Sequence, residues 1–328
     1  MDVLSINGNV VDILPALQKK SVQTVVTSPP YFGLRDYGIE KTNFPEISYS
    51  PMAGLPEIVV PETDTCLGNE DTLESYTAHL VYIFRLLRDV LADDGTVWLN
   101  LGDSYNANYR GGGFDTATDK QSSNTGSTDF YKTKRKPSRL KPKNLTGIPW
   151  RVALALQADG WILRSDIIWH KRNPMPESVK DRPTKGHEYL FLLTKNKKYY
   201  YDQDSIREES VTEPTTRIKS EEVYGKGTKN FSPGERVWGN SAGRNKRTVW
   251  SLSSQPYTEA HFATFPTTLV DPCILAGSTE GDIVLDIFAG SGTVGGVAVK
   301  HGRKSILIEQ SFVYSQLHQS RITKIKDK

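Results

Sequence analysis

Short apolar runs rich in β-branched residues recur along this chain, separated by stretches with helical spacing. Val22 to Val26 is one such run; Thr96 to Leu101, Ile162 to Trp169 and Glu188 to Thr194 are others. Asp282 to Phe288 and Lys304 to Ile308 complete the set. Runs of this length, bounded by turn residues, predict strands. Between them, Thr72 to Leu91 places Leu73, Tyr76, Leu80, Ile83, Leu87 and Val90 on one helical face. The Asp93-Asp94-Gly95 turn is expected to end that helix. Trp150 to Ala158 predicts a second, stopped near Gly160, and a third starts near Thr267. VAVKHG, ending at Gly302, is a short fourth. Strands alternating with helices predict a doubly wound α/β sheet.

Two stretches break the alternation. Asn106 to Thr146 is rich in Gly, Ser, Thr and Lys, and its Lys132–Lys143 run holds seven basic residues and no acidic one. Asp204 to Trp250 is also polar, with Arg236, Arg244, Lys246 and Arg247. Neither reads as sheet or helix, and loops this long are functional or disordered. A solvated insertion and a phosphate-binding loop both fit the first.

Composition narrows the class only modestly. The 328 residues are 37% hydrophobic and 24% charged, an ordinary globular balance, and a net charge of +3 says little about partners. Two cysteines, Cys66 and Cys273, lie far apart, which argues against disulfides or a zinc site, so no metal is expected. No apolar stretch reaches membrane-spanning length and the N-terminus lacks a signal-peptide pattern. The expectation is a soluble cytoplasmic protein.

Two motifs carry chemistry. Thr27-Ser28-Pro29-Pro30-Tyr31 follows the first apolar run directly. The exocyclic amine of a nucleobase is a poor nucleophile because its lone pair is delocalised into the ring. Acceptors beside the nitrogen draw that pair back, and the Ser28 hydroxyl and Pro29 carbonyl are such acceptors. Consecutive prolines keep them stiff. Tyr31 offers a flat face for a base. An ordinary strand end with a proline turn fits the same residues. The second motif is Ala289-Gly290-Ser291-Gly292-Thr293-Val294-Gly295-Gly296, between the strand at Asp282–Phe288 and the VAVKHG helix. Gly290, Gly292 and Gly295 match G-x-G-x-x-G, and Glu309 closes the next strand, so a dinucleotide enzyme stands as one reading.

Together these residues resemble the β-type amino-methylating DNA methyltransferases, in which the catalytic tetrapeptide precedes the cofactor loop. The Ser28-Pro29-Pro30-Tyr31 form is typical of the cytosine-N4 group, and Asp286 to Thr293 resembles the S-adenosylmethionine loop. Ile168 to Glu177, Asp181-Arg182-Pro183 and His187-Glu188 resemble the border of the target-base pocket. The resemblance implies a circularly permuted, mostly parallel Rossmann-like sheet, with DVLSINGN near the chain start as a third strand of the cofactor half. It implies that residues 1–202 form the catalytic half, with a basic insertion at about 106–146. It makes 203–257 a target-recognition region and 258–328 the cofactor half.

Roles follow from the same resemblance. Asp286, Phe288, Gly290, Ser291, Gly292 and Thr293 fall near the methionine end of the cofactor, and Glu309 at its ribose. Asn9 stands where the family often carries an acidic residue near adenine. Phe265 is a cofactor neighbour or a core phenylalanine. Double-stranded DNA is the implied partner, contacted by Lys132, Lys134, Arg135, Lys136 and Lys171, with Arg244 and Arg247 as candidates for guanine edges. A restriction endonuclease is a possible functional companion, in a bacterial or phage-infected cell. His170 reads as structural or DNA-contacting, and Cys273 as a core residue and not a carbon-5 nucleophile. Adenine-N6 methylation on the same scaffold, an inactive DNA-binding protein and an NAD-dependent oxidoreductase remain as alternatives.

Overall fold

The computed structural model describes residues 2–33, 39–106, 140–210, 215–219, 234–238, 243–254 and 265–327. Eight strands form one sheet, in the order Val3–Asn7, Lys304–Glu309, Ile283–Asp286, Val22–Thr27, Leu91–Leu101, His187–Thr194, Ile162–Lys171, Val249–Leu252. Only His187–Thr194 runs antiparallel to its neighbours.

Successive side chains of a strand point to opposite faces, and here both faces are covered. Val25, Leu99, Phe191 and Leu193 join one core cluster with the Leu73–Val90 and Ile148–Ala158 helices. Val26, Trp98, Leu190 and Leu192 join the other, with the Thr267–Gly277 and Thr293–Lys300 helices. Two-sided burial is why these strands read as continuous apolar runs. The Leu73–Val90 helix is capped by Thr72, whose hydroxyl accepts from the Ser75 N–H at 3.0 Å. Its whole predicted stripe is buried. Pro149 sits in the first turn of the next helix, where its missing N–H costs nothing.

The chain ends meet as the permutation requires. Val3–Asn7 pairs in parallel with Ser305–Glu309. Val284 and Leu285 pair with Thr24 and Val25. Strand order therefore diverges between the Val22 and Ile283 strands, and in open α/β sheets ligands bind at such a switch point, beyond the carboxyl ends of the strands.

Four features depart from the sequence expectation. Val249–Leu252, inside the stretch read as neither sheet nor helix, is an edge strand paired with Ile168–Lys171. The same stretch holds an antiparallel pair, Thr215–Lys219 with Gly234–Trp238. Residues after Glu309, for which no element was expected, form two helices, Phe312–Ser315 and His318–Lys326. Asp93-Asp94-Gly95 is a bulge within the Leu91–Leu101 strand, between the Val22–Leu91 and Thr24–Thr96 pairs. Among the described residues, no helix is long and apolar enough to cross a membrane.

Candidate active site

The two motifs leave adjacent parallel strands and touch. Thr27, the last residue of its strand, donates its hydroxyl to Asp286 Oδ1 at 2.7 Å across 259 positions of sequence. The Phe288 N–H donates to the same oxygen at 3.1 Å. Burial holds the Asp286 carboxyl far above its ordinary value, at about 7, against the pull of those two donors.

The glycine loop curls over that carboxylate. Gly290 (φ 51°) and Gly292 (φ 84°) take the left-handed backbone conformation. The Gly290 N–H donates to Glu309 Oε2 and the Ser311 N–H to Oε1, both at 2.8 Å. Burial raises the Glu309 carboxyl as well. Among the described residues, a Cβ on Gly290 would meet nothing within 4 Å, and the buried Ser291 hydroxyl has no hydrogen-bond partner. Open space above the loop and an orphaned hydroxyl are what a polar ligand would fill. From behind, the C-terminal helix supports the turn. His318 Nε2 lies 2.9 Å from the Gly290 carbonyl, and its Nδ1 lies 2.7 Å from Ser5 Oγ. The carbonyl can only accept, so Nε2 carries the proton. Arg321 donates to the Thr293 hydroxyl.

On the other side of the switch point, the Ser28 hydroxyl lies 3.3 Å from the Tyr31 phenol. That phenol donates to Glu188 Oε2 at 2.7 Å. Asn100 donates to the same oxygen at 3.0 Å, and the Lys171 ammonium pairs with Oε1. Burial, then the Glu188 charge, pushes the Tyr31 phenol well above its ordinary value, so it stays a donor. The Tyr31 ring lies flush on Gly102, where any side chain would collide with it. The Pro30 carbonyl accepts from Tyr76 at 2.8 Å.

Other sequence candidates fall as follows. Lys171 faces Glu188 and the Trp169 ring. Asn9 caps the short helix Val10–Ile13, accepting from the Val11 N–H and donating to Thr42. Phe265 packs at the margin of one core cluster and Phe288 at the margin of the other. Arg244 and Arg247 share one carboxylate, Glu208, at 3.3 and 3.0 Å. Burial works to raise that acid, and the Arg247 N–H and guanidinium outweigh it and leave it below its ordinary value. Lys132, Lys134, Arg135 and Lys136 lie outside the described residues. His170, on the strand three places along the sheet from Val22–Thr27, bonds Ser251 on the edge strand. Cys273 is fully buried and burial raises its thiol, so it has no nucleophilic character. In the sequence Glu188 falls only within the segments that resemble the border of the base pocket, and Asn100, Tyr76 and His318 carry no site assignment.

A family model described as DNA methylase, of the N6 and N4 type, matches residues 22–320. The chain belongs to this family. The type II methyltransferase M.Cfr9I of Citrobacter freundii is 42% identical to this methylase over 316 residues, covering 96% of this chain and 86% of the relative. M.SmaI of Serratia marcescens is 41% identical, covering 96% and 89%. Among solved structures, the cytosine-N4-specific PvuII DNA methyltransferase aligns at TM-score 0.59 with 17% identity, over 100% of this chain and 92% of its own. TTHA0409 of Thermus thermophilus, solved in complex with S-adenosyl-L-methionine, aligns at 0.57 with 20% identity, over 98% and 93%. Both show the same fold. S-adenosyl-L-methionine is the group held by TTHA0409. The open, polar loop at Gly290–Thr293, flanked by Asp286 and Glu309, fits that group.

Proposed function

We propose that this methylase transfers a methyl group to the exocyclic N4 amine of a cytosine extruded from double-stranded DNA. The observation that supports this best is the Thr27–Asp286 hydrogen bond, which ties the serine-proline-proline-tyrosine turn to the cofactor loop. The serine form of that turn favours cytosine.

A base still stacked in duplex cannot reach a cleft at a sheet edge, so it must be flipped out. Tyr31 is the stacking platform; its phenol is held by Glu188, which Asn100 and Lys171 hold in turn. Ser28 Oγ and the Pro29 carbonyl accept from the amine and turn its lone pair toward the cofactor side. Tyr76 takes the Pro30 carbonyl, so the adjacent carbonyl does not compete for the amine. Asp286, Phe288, Gly290, Ser291, Gly292, Thr293 and Glu309 hold S-adenosylmethionine, which when bound supplies an electrophilic methyl group. With no covalent intermediate to form, the chain's contribution is alignment and exclusion of water. The amine proton leaves to Ser28 or water after alkylation.

Residues 203–257 are the target-recognition region in this reading. Glu208 holds Arg244 and Arg247 side by side for base edges or phosphates. The basic run at Lys132, Lys134, Arg135 and Lys136 binds phosphate. A partner restriction endonuclease fits the type II relatives. Digestion of DNA exposed to the protein and cofactor, followed by nucleoside mass spectrometry, tests the base. N4-methylcytosine is expected. N6-methyladenine would overturn the cytosine assignment.

A further inference from the structure

The catalytic turn is held from below by one helix and by the loop before it, and of these groups the reaction as outlined uses only the Tyr76 phenol. Tyr76, on the Leu73–Val90 helix and fully buried, donates its phenol to the Pro30 carbonyl at 2.8 Å. His79, one turn further on and also fully buried, meets Glu70 Oε1 at 2.9 Å through Nδ1. The other Glu70 oxygen accepts from the Gly68 N–H at 2.8 Å. The Gly68 carbonyl in turn accepts from the Gly33 N–H at 2.6 Å, two residues beyond Tyr31. Gly68 lies so close to the turn that a Cβ there would sit 3.1 Å from the Tyr31 carbonyl and 3.3 Å from Pro30 Cβ. Phe44 stacks on the His79 ring at 3.9 Å between centroids and seals the pair from water.

We propose that Tyr76, Glu70 and His79 are positioning residues, a buried clamp that sets where Ser28, Pro29 and Tyr31 stand relative to the cofactor loop. The proposal rests on the reading of that turn as catalytic.

Packing alone does not call for this arrangement. Taking a carboxyl group and an imidazole out of water is costly, and an apolar pair of similar volume holds a fold as well or better. Burial raises the Glu70 carboxyl, with His79 and the Gly68 N–H acting against it. Among the described residues, the buried His79 Nε2 has no hydrogen-bond partner, a further cost. Directional bonds are the compensation, since they fix the Gly68 turn, and through it the far end of the catalytic turn, in one orientation. Thr27 is tied to Asp286, Pro30 to Tyr76 and Gly33 to Gly68, so the turn is held at both ends and in the middle.

The test measures kcat, the KM for DNA, cofactor affinity and thermal midpoint for the wild type, Tyr76→Phe, Glu70→Ala and Glu70→Gln. Loosening a reacting geometry by a fraction of an ångström lowers kcat, so Tyr76→Phe should lose roughly fivefold and Glu70→Ala about tenfold or more. Cofactor affinity and the KM for DNA should stay within about twofold in each. Glu70→Gln keeps an acceptor for the Gly68 N–H and should recover most of the Glu70→Ala loss. If Tyr76→Phe and Glu70→Ala lower only the midpoint, and kcat per folded molecule is unchanged, the clamp is merely structural and the proposal fails. Should Glu70→Ala not fold, Tyr76→Phe decides, and a wild-type kcat there overturns the proposal. Transfer is scored on any base, so an N6-methyladenine product would correct the base assignment without altering these ratios.

Discussion

Gly102→Ala adds one methyl group against the ring of Tyr31, the proposed base platform. At that position a Cβ lies 2.5 Å from Tyr31 Cε2, 3.1 Å from Cδ2 and 3.3 Å from Cζ. Carbon atoms settle about 3.5–4.0 Å apart, so the ring must retreat by roughly 1 Å. Two contacts oppose that retreat: the 2.7 Å bond to Glu188 and the close approach of the Tyr31 carbonyl to Gly68. Overpacking of this kind costs about 1–3 kcal/mol of stability. The stiffer unfolded chain returns about 0.4–1 kcal/mol, because position 102 needs no left-handed backbone. A reacting group displaced by 1 Å loses on the order of 10²-fold in rate, near 2.7 kcal/mol of barrier. Activity should therefore suffer more than folding. The assay is single-turnover methyl transfer to DNA beside thermal unfolding and cofactor titration. The expected outcome is a large loss of rate, a modest drop in midpoint and normal cofactor affinity. In the Tyr31→Ala background the alanine should cost almost nothing further, since the ring it strikes is gone. A Gly102→Ala enzyme with wild-type rate would refute the platform.

Tyr31→Ala itself should lose about 1–3 kcal/mol of transition-state stabilisation, the worth of a base–aromatic stack; an unchanged kcat/KM moves the stacking role elsewhere. Asp286 gives a pH signature. In the cofactor-free protein its folded value of about 7 lies above the ordinary 3.8, so the native state keeps a proton that the unfolded chain has lost. Stability from this group is therefore fully present below pH 3.8 and is lost as pH rises through about 7, by on the order of 4 kcal/mol. Asp286→Asn should remove that decline in denaturant titrations, and parallel wild-type and mutant curves would refute it. Glu309→Gln should weaken cofactor binding about tenfold, or about 1.4 kcal/mol, with little change in kcat at saturation; equal affinity would take Glu309 off the ribose. Neutralising Lys132, Lys134, Arg135 and Lys136 should flatten the salt dependence of DNA binding by up to about 0.9 in log–log slope per charge removed. An unaltered slope assigns that run to solvent.

The sheet was legible because both its faces are buried, which leaves Val25–Val26 and Leu190–Leu193 as unbroken apolar runs. The candidate site stands out in the sequence where backbone geometry dictates residue type, at the paired prolines and at Gly290 and Gly292. Val249–Leu252 escaped notice because a four-residue edge strand flanked by Arg247 and polar serines leaves no periodic signal. The C-terminal helix has little apolar surface beyond Ile322 and Ile325, yet it places His318 and Arg321 against the glycine loop. Charge was readable and partners were not. Lys171 is a bare cation in the sequence; in the fold it pairs with Glu188, 17 positions away. Arg244 finds Glu208 36 positions upstream, and Asn9 spends its amide on a helix cap. Such pairings are tertiary facts that composition and spacing do not encode.

One cleft built from both chain ends is tested most directly by cross-linking. Methyl-labelled S-adenosylmethionine bound to the wild-type protein is irradiated, and the labelled peptides are mapped by mass spectrometry. Label in the peptide that contains Ser28–Tyr31 and in the one that contains Asp286–Thr293 is the predicted result. Label confined to either peptide alone, or found only in other segments, would contradict a shared site.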